Sequence, residues 1–389
     1  MRILTFTSLY PNEIQTRNGI FVEQRIRQLQ HYDDISIKVV APVPWFPFKG
    51  KIFGEYSNYA KIPKKEYRNG IEIYHPKFPA IPKIGMVLSP FLLASFMWPT
   101  FNRIQKAGFD FDLIDAHYFY PDGVAASILG HWYRKPVIIT ARGTDVNIIP
   151  KFRIPRKLIL LAAKKSKKII TVTTALKYKL IEIGVDRDKI KVLRNGVDLK
   201  LFNMVDKEIA RKQIGISYDY ILAVGNLVEE KGHDLIISAL PELKNTKLII
   251  IGNGKLKEKL INFAKKHNVI ERVLFINNVT QEELKYYYSA AKLLILTSTR
   301  EGMPNVLLES IACGTPVIAT NVGGVPEIIR SSEAGIIINE RTTKELVKAI
   351  NAIMNNYPSR NETRKYAESF GWENIIKEQI CVMRNSCFS

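Results

Sequence analysis

The chain has 389 residues, more than one ordinary hydrophobic core accommodates and enough for two domains. Its 46% hydrophobic and 24% charged content excludes a disordered or fibrous polypeptide. Lys and Arg number 57 against 37 Asp and Glu, and the net charge of +20 favours anionic company: phosphorylated small molecules, anionic lipid or nucleic acid.

In chain order, the first half offers the short apolar runs RILTFTS, ISIKVVAPV, DLIDAH, PVIITAR, KIITVT and KIKVLRNGV, and the second half YILAVGN, KLIIIGN, RVLFIN, LLILTS, PVIAT and GIIIN. Helical patterns lie between them. Continuous apolar runs alternating with helices predict parallel strands covered on both faces, hence α/β architecture with two doubly wound, Rossmann-like domains. The boundary is expected near NGVDLKLFN, giving domains at 1–198 and 199–371, with a helix at about 372–389 that packs back on the first.

The opening run is too short for a secretory signal core and no small-residue cleavage site follows it, which predicts a cytoplasmic protein. The three cysteines, Cys313, Cys381 and Cys387, offer neither zinc spacing nor an even disulfide framework. Residues 42–90 break the pattern with prolines, aromatics and lysines, and read as a long irregular insertion. Within and beyond it, IGMVLSPFLLASFMWP at 84–99 is shorter than the ~20 residues a membrane span needs and is interrupted by Pro90. It predicts an amphipathic or buried helix. Residues 151–170, KFRIPRKLILLAAKKSKKII, mix leucines with many lysines and suit a peripheral helix on anionic lipid at the inner face of a membrane; a solvated face over a core helix is an equal alternative.

Ligands of open α/β sheets bind at the carboxyl ends of strands. The unusual residues cluster at those ends: Gly19 after the first strand, His117 ending DLIDAH, Arg142 to Asp145 after PVIIT, Asn226 ending YILAVGN, and Glu301 after LLILTS. Lys231, in a loop between Gly225 and Gly232, can meet a diphosphate as a point charge. In EGMPN the amides of Asn305 and Val306 open a helix, a ready anion site. Glu309 lies on a largely apolar face of that helix, where a carboxylate needs a partner; a ligand is one candidate.

Taken together, these stretches resemble the family-4 retaining glycosyltransferases of the GT-B fold. The resemblance runs over TSLYP…NGIFVEQRIRQL, DLIDAHYFYPDGVAA, RGTDVN, RNGVD, VGNLVEEKGHDLIISAL, GNG and, above all, EGMPNVLLESIACGTPVIATNVGGVPEI. It implies two domains with a cleft between them and a UDP- or GDP-linked sugar donor. It implies that Glu309 holds the donor's ribose, and that Glu301 with Gly302, Met303, Pro304 and Asn305 holds the sugar. Val306, Asn305 and Lys231 would meet the diphosphate, His117 would face the sugar, and Gly19 would let the first loop approach the phosphate. Glu301, His117 and Lys231 are thus the expected catalytic residues. At Asn226 relatives commonly carry Arg, so a cation is missing here. No Asp-x-Asp motif ends a strand, so no metal and no cofactor are expected, and the acceptor is a saccharide or a lipid-linked saccharide. Competing readings are a GT-B sugar-nucleotide epimerase or hydrolase, which would not need the aromatic and basic segment at 45–83, and a nucleic-acid binder, for which only the charge speaks.

Overall fold

The computed structural model describes residues 1–46, 50, 56–79 and 85–388. Part of the segment expected to be irregular, at 47–49, 51–55 and 80–84, lies outside the described residues. The chain divides into two compact units, Met1–Asn195 with Glu373–Ser389, and Gly196–Trp372. The first crossing therefore falls three residues ahead of the expected 198/199, inside the Asn-Gly turn, and the second one residue after 371.

The first unit is built on strands β1 (Arg2–Phe6), β2 (Ser36–Val40), β4 (Lys65–Arg68), β5 (Ile71–Tyr74), β7 (Leu113–His117), β8 (Val137–Ala141), β9 (Lys168–Thr171) and β10 (Ile190–Val192), in the order β10-β9-β8-β7-β1-β2-β5-β4. All neighbours are parallel except β4 and β5. Strands β7 and β8 are buried at every residue, as helices on both faces require. Two short strands, β3 (Val43–Pro44) and β6 (Lys77–Phe78), pair separately. The insertion is thus partly regular: Asn69 and Gly70, at φ 51° and 76°, make a tight turn that joins β4 to β5 and extends the sheet. The stretch at 151–170 is not one helix. Its helix is Arg153–Lys165, and Lys168 already begins β9.

The helix Trp372–Phe388 belongs to this first unit. Its Gln379 accepts a hydrogen bond from Arg25 Nη1 at 3.1 Å. Arg25 is fully buried, and its Nη2 donates to the carbonyls of Leu193 (2.9 Å) and Arg194. One guanidinium therefore holds both the segment by which the chain leaves the unit and the helix by which it returns.

The second unit carries β11 (Tyr220–Val224), β12 (Lys247–Ile251), β13 (Val273–Ile276), β14 (Leu293–Leu296), β15 (Val317–Thr320) and β16 (Gly335–Ile338), in the order β13-β12-β11-β14-β15-β16, all parallel. Leu248, Ile250, Leu293, Ile295 and Ile318 from the sheet pack with Ile236, Leu260 and Leu346 from helices to form its core. Val197 bridges to Gly371, so the unit's two ends lie side by side.

Candidate active site

Strand order reverses between β11 and β14, and in a doubly wound sheet the crevice outside the carboxyl ends at such a point is where ligands sit. The loops after these two strands supply Lys231 and Glu301. Lys231 ends the short turn Glu229–Lys231, and its stem runs over Gly225, close enough that a Cβ there would touch it at 3.5 Å. Its Nζ lies 2.6 Å from Glu301 Oε1, which also accepts from Ser298 Oγ at 2.6 Å. Both side chains are largely covered, 26% and 10% exposed, so the pair is held in a semi-enclosed corner rather than in open solvent.

The Glu301 loop is propped from β15. Gly324 N donates to Gly302 O at 2.8 Å, and Gly323, at φ 54°, brings its Cα so close that a Cβ there would stand 2.2 Å from Glu301 O. Only glycine fits. Met303 and Pro304 are buried beneath this loop and fix the start of the helix Asn305–Ala312. Pro304, not Asn305, occupies the cap position, and its ring offers no acceptor to the first amides. Val306 and Asn305 are half-buried at this helix start, whereas Asn226 is exposed on the loop after β11.

Glu309 is buried on the same helix, and the hydroxyl of Tyr288, from the helix Gln281–Ala290, donates to its Oε2 at 2.9 Å. The carboxylate expected to wait for a ligand therefore already has a protein partner. Below it, burial pushes the Cys313 thiol up to about 12, so this cysteine is an inert core residue. His233, beside Lys231 in sequence, is buried with Nε2 3.3 Å from Asn226 O, and burial brings it down to about 4. It stays neutral.

In the first unit the order reverses between β1 and β7, the strands preceding Gly19 and ending at His117. Gly19, at φ 69°, packs on the loop after β1: a Cβ would meet Leu9 O at 2.1 Å. That close approach explains the glycine by packing alone. The His117 ring is fully buried and both nitrogens are engaged. Arg142 Nη2 lies 2.6 Å from Nδ1, and Nε2 lies 3.0 Å from Asp115 Oδ2. Since guanidinium can only donate, Nδ1 accepts and the proton sits on Nε2, donated to Asp115. Burial lowers the His117 pKa, in keeping with a neutral ring. Arg142 also donates to Asn195 Oδ1 at 3.1 Å and lies over the Phe21 ring, 5.2 Å from its centre. Asp145 accepts from the amides of Phe119 (2.6 Å) and Gly143 (2.7 Å) and so shapes the loop that carries Arg142.

Sequence reasoning singled out His117 and Arg142 at strand ends without joining them, and did not single out Asp115, which holds the ring, or Asn195, which holds Arg142. RGTDVN stands out by its place after a strand and RNGVD as a boundary turn, but nothing in spacing alone brings residues 115, 142 and 195 together.

Residues 35–201 match Glycosyltransferase Family 4, and residues 206–370 match Glycosyl transferases group 1. The glycosyltransferase TuaC of Bacillus subtilis, named for teichuronic acid biosynthesis, is 31% identical over 362 residues, covering 90% of this chain and 88% of its own. A glycosyltransferase of Methanocaldococcus jannaschii is 28% identical over 361 residues, covering 88% and 96%. Among solved structures, the sucrose-phosphate synthase of Thermosynechococcus elongatus superimposes with a TM-score of 0.81 at 18% identity, covering 99% of both chains. The Anabaena protein HepE in complex with UDP gives 0.76 at 18%, covering 99% of this chain and 100% of its own. With both halves matched and a relative similar over nearly its whole length, the chain belongs to the family-4 glycosyltransferases of the GT-B fold, the glycosyl transferases group 1.

Proposed function

We propose that the protein transfers a sugar from a UDP- or GDP-linked donor to a saccharide or lipid-linked acceptor in cell-surface polymer synthesis, with retention of anomeric configuration and without a metal ion. The observation that carries this reading is the Lys231–Glu301 pair at the switch point, 2.6 Å apart and mostly covered. The similarity to TuaC supports the polymer, and the HepE complex with UDP supports the nucleotide. In the proposed step the bond between the anomeric carbon and the phosphate oxygen breaks, and its electron pair leaves with the diphosphate. The acceptor hydroxyl bonds to the carbon from the same face and gives its proton to the departing phosphate. Negative charge grows on that phosphate, where Lys231 and the amides opening the helix Asn305–Ala312 stabilise it. Glu301 holds sugar hydroxyls and Glu309 the ribose. His117, its ring nitrogens already engaged, orders the first unit's loops rather than offering a free proton donor.

The donor panel that tests this is read by thermal shift, since a ligand bound only by the native state raises the melting temperature. With the sugar nucleotide so found, the product's anomeric proton coupling is expected to match the donor's, and activity is expected to survive a chelator. Inverted product, or activity abolished by chelator and restored by manganese, overturns the mechanism.

Two carboxylate variants separate binding from turnover. Glu309→Ala removes the acceptor that ribose needs and strands Tyr288, so nucleoside diphosphate is expected to bind about 10-fold to 100-fold more weakly. Glu301→Ala leaves Lys231 without its counter-charge, so the bare nucleoside diphosphate is expected to bind as well as before or better, while kcat falls roughly 100-fold. Calorimetric titration and steady-state rates distinguish the two; equal losses of affinity would refute the division of roles.

A further inference from the structure

Exposed Phe and Trp side chains are distributed unevenly. Among the described residues, those classed as exposed are Trp45, Phe91, Phe96, Trp98, Trp132 and Phe152, and every one lies in the first unit. Five of the six sit on or beside three helices that pack against one another: Gly85–Lys106, Val124–Tyr133 and Arg153–Lys165. The first of these is apolar on both sides. Leu93, Met97, Phe101 and Ile104 are buried toward the sheet, whereas Leu88, Phe91, Phe96 and Trp98 point outward, Phe91 and Phe96 at 46% exposure and Trp98 at 48%. Trp132 is brought alongside, because Tyr133 OH donates to Trp98 O at 3.0 Å and to Asn102 Oδ1 at 2.7 Å. On the third helix Ile154 and Leu161, 51% and 56% exposed, extend the apolar face. A soluble surface rarely gathers this much aromatic area without a use for it.

The charge around this face is mostly positive, with Asp186 and Asp110 at its edge. None of the three helices contains Asp or Glu. Lys157, Lys164 and Lys165 flank Leu161, and a surface cavity of 680 Å³ beside Trp132 is lined by Arg134, Lys165, Lys167 and Lys135, the last paired with Asp110 at 3.0 Å. A second cavity, of 540 Å³, opens beside Leu161 between Lys157 and Lys164, with Lys189 and the single carboxylate of Asp186 also in its wall. Burial lowers the pKa of Lys189; Asp186 opposes this, and the crowded Lys167, Lys168 and Lys164 add to the lowering. A second copy of the chain docked through the same face would set these cations against themselves, whereas an anionic surface would relieve them.

We propose that the outer face of these three helices is a docking surface for an anionic lipid bilayer, with Phe91, Phe96, Trp98 and Trp132 entering the headgroup and acyl boundary and the flanking lysines meeting lipid phosphates. Aromatic rings prefer that boundary, and each lysine near an anionic surface adds to the attraction until salt screens it. Docking rests on this surface and not on the transfer reaction. Nucleotide binding measured without vesicles therefore reports on the proposed function independently.

The full-length protein is mixed with vesicles of phosphatidylcholine alone or with one third phosphatidylglycerol, and binding is read by co-sedimentation and Trp emission. Binding to the anionic vesicles, a blue shift of emission and loss of binding at high salt are expected. Combining Lys157→Glu, Lys164→Glu and Lys165→Glu should weaken partitioning on the order of 100-fold. Phe91→Ser with Phe96→Ser should abolish the blue shift, with melting temperature and nucleoside diphosphate binding unchanged in both variants. Equal binding to neutral and anionic vesicles, binding with no blue shift, no binding to either, or a dimer that Phe96→Ser dissociates would each overturn the proposal.

Discussion

Lys231→Ala is expected to lower kcat/KM on the order of 1000-fold while leaving the melting temperature unchanged. The size follows from where the charge acts: a fixed cation aimed at a leaving group in a semi-enclosed corner stabilises developing negative charge far more than it stabilises the fold. The fold loses little, because Glu301 keeps the hydrogen bond from Ser298 Oγ when Lys231 is removed. The loss should fall on kcat more than on KM, and Asn226→Arg, which places a guanidinium on the exposed neighbouring loop, should tighten nucleoside diphosphate binding by about 10-fold. Rates, titrations and melting curves on the two variants decide it. A Lys231→Ala protein that retains a tenth of its activity would remove Lys231 from the mechanism, and unchanged affinity in Asn226→Arg would show that another group fills the place of the missing cation.

Arg25→Ala should destabilise the protein by about 3 kcal/mol or more. Arg25 is fully buried and its guanidinium satisfies the Leu193 and Arg194 carbonyls and the Gln379 amide oxygen, of which the bonds to Leu193 and Gln379 are buried from solvent. Burial already brings the Arg25 guanidinium down to about 10, a sign of how costly its charge is there without these acceptors. Chemical denaturation measures the loss directly. Because the acceptors come from the exit segment and the returning helix, the variant should also expose 193–195 and 373–388 to faster amide exchange than the rest of the first unit. A midpoint within experimental scatter of wild type would show that these acceptors find other donors.

The strands at the centre of both sheets were legible because burial on both faces writes them as continuous apolar runs, and LIDAH, VIITA, YILAV and LLIL are buried throughout. The edge of the first sheet was not. Strands β4 and β5 lie among prolines, aromatics and lysines, yet Asn69-Gly70 followed by the alternating IEIY is a hairpin signal that the irregular composition of the whole segment obscured. At the site, Glu301, Lys231 and Glu309 stand out as charged residues at strand ends or on an apolar helix face, a local property. Their partners are not local: Tyr288 meets Glu309 across two helices, and Lys231 reaches Glu301 across 70 positions of sequence. Contacts of that kind are set by sheet order, which a single sequence carries only through its overall architecture. The outward aromatic face of Gly85–Lys106 escaped for a related reason, since an apolar run read as an amphipathic or buried helix does not say which side lacks a neighbour.

The ion pair between Lys231 and Glu301 has a bearing on selectivity. Inorganic phosphate and nucleoside monophosphates abound wherever nucleotide sugars are made, and an unopposed ammonium at a strand end would collect them. Here the cation is occupied by an anion of the protein's own, so a competing anion must displace it or bind beside a carboxylate that repels it. Under the proposed function a nucleotide sugar brings what a bare phosphate lacks: hydroxyls to give Glu301 new hydrogen bonds as Lys231 turns to the diphosphate, and a ribose for Glu309. In that reading the resting pair acts as a filter, weakening the hold on small anions such as inorganic phosphate relative to a nucleotide sugar.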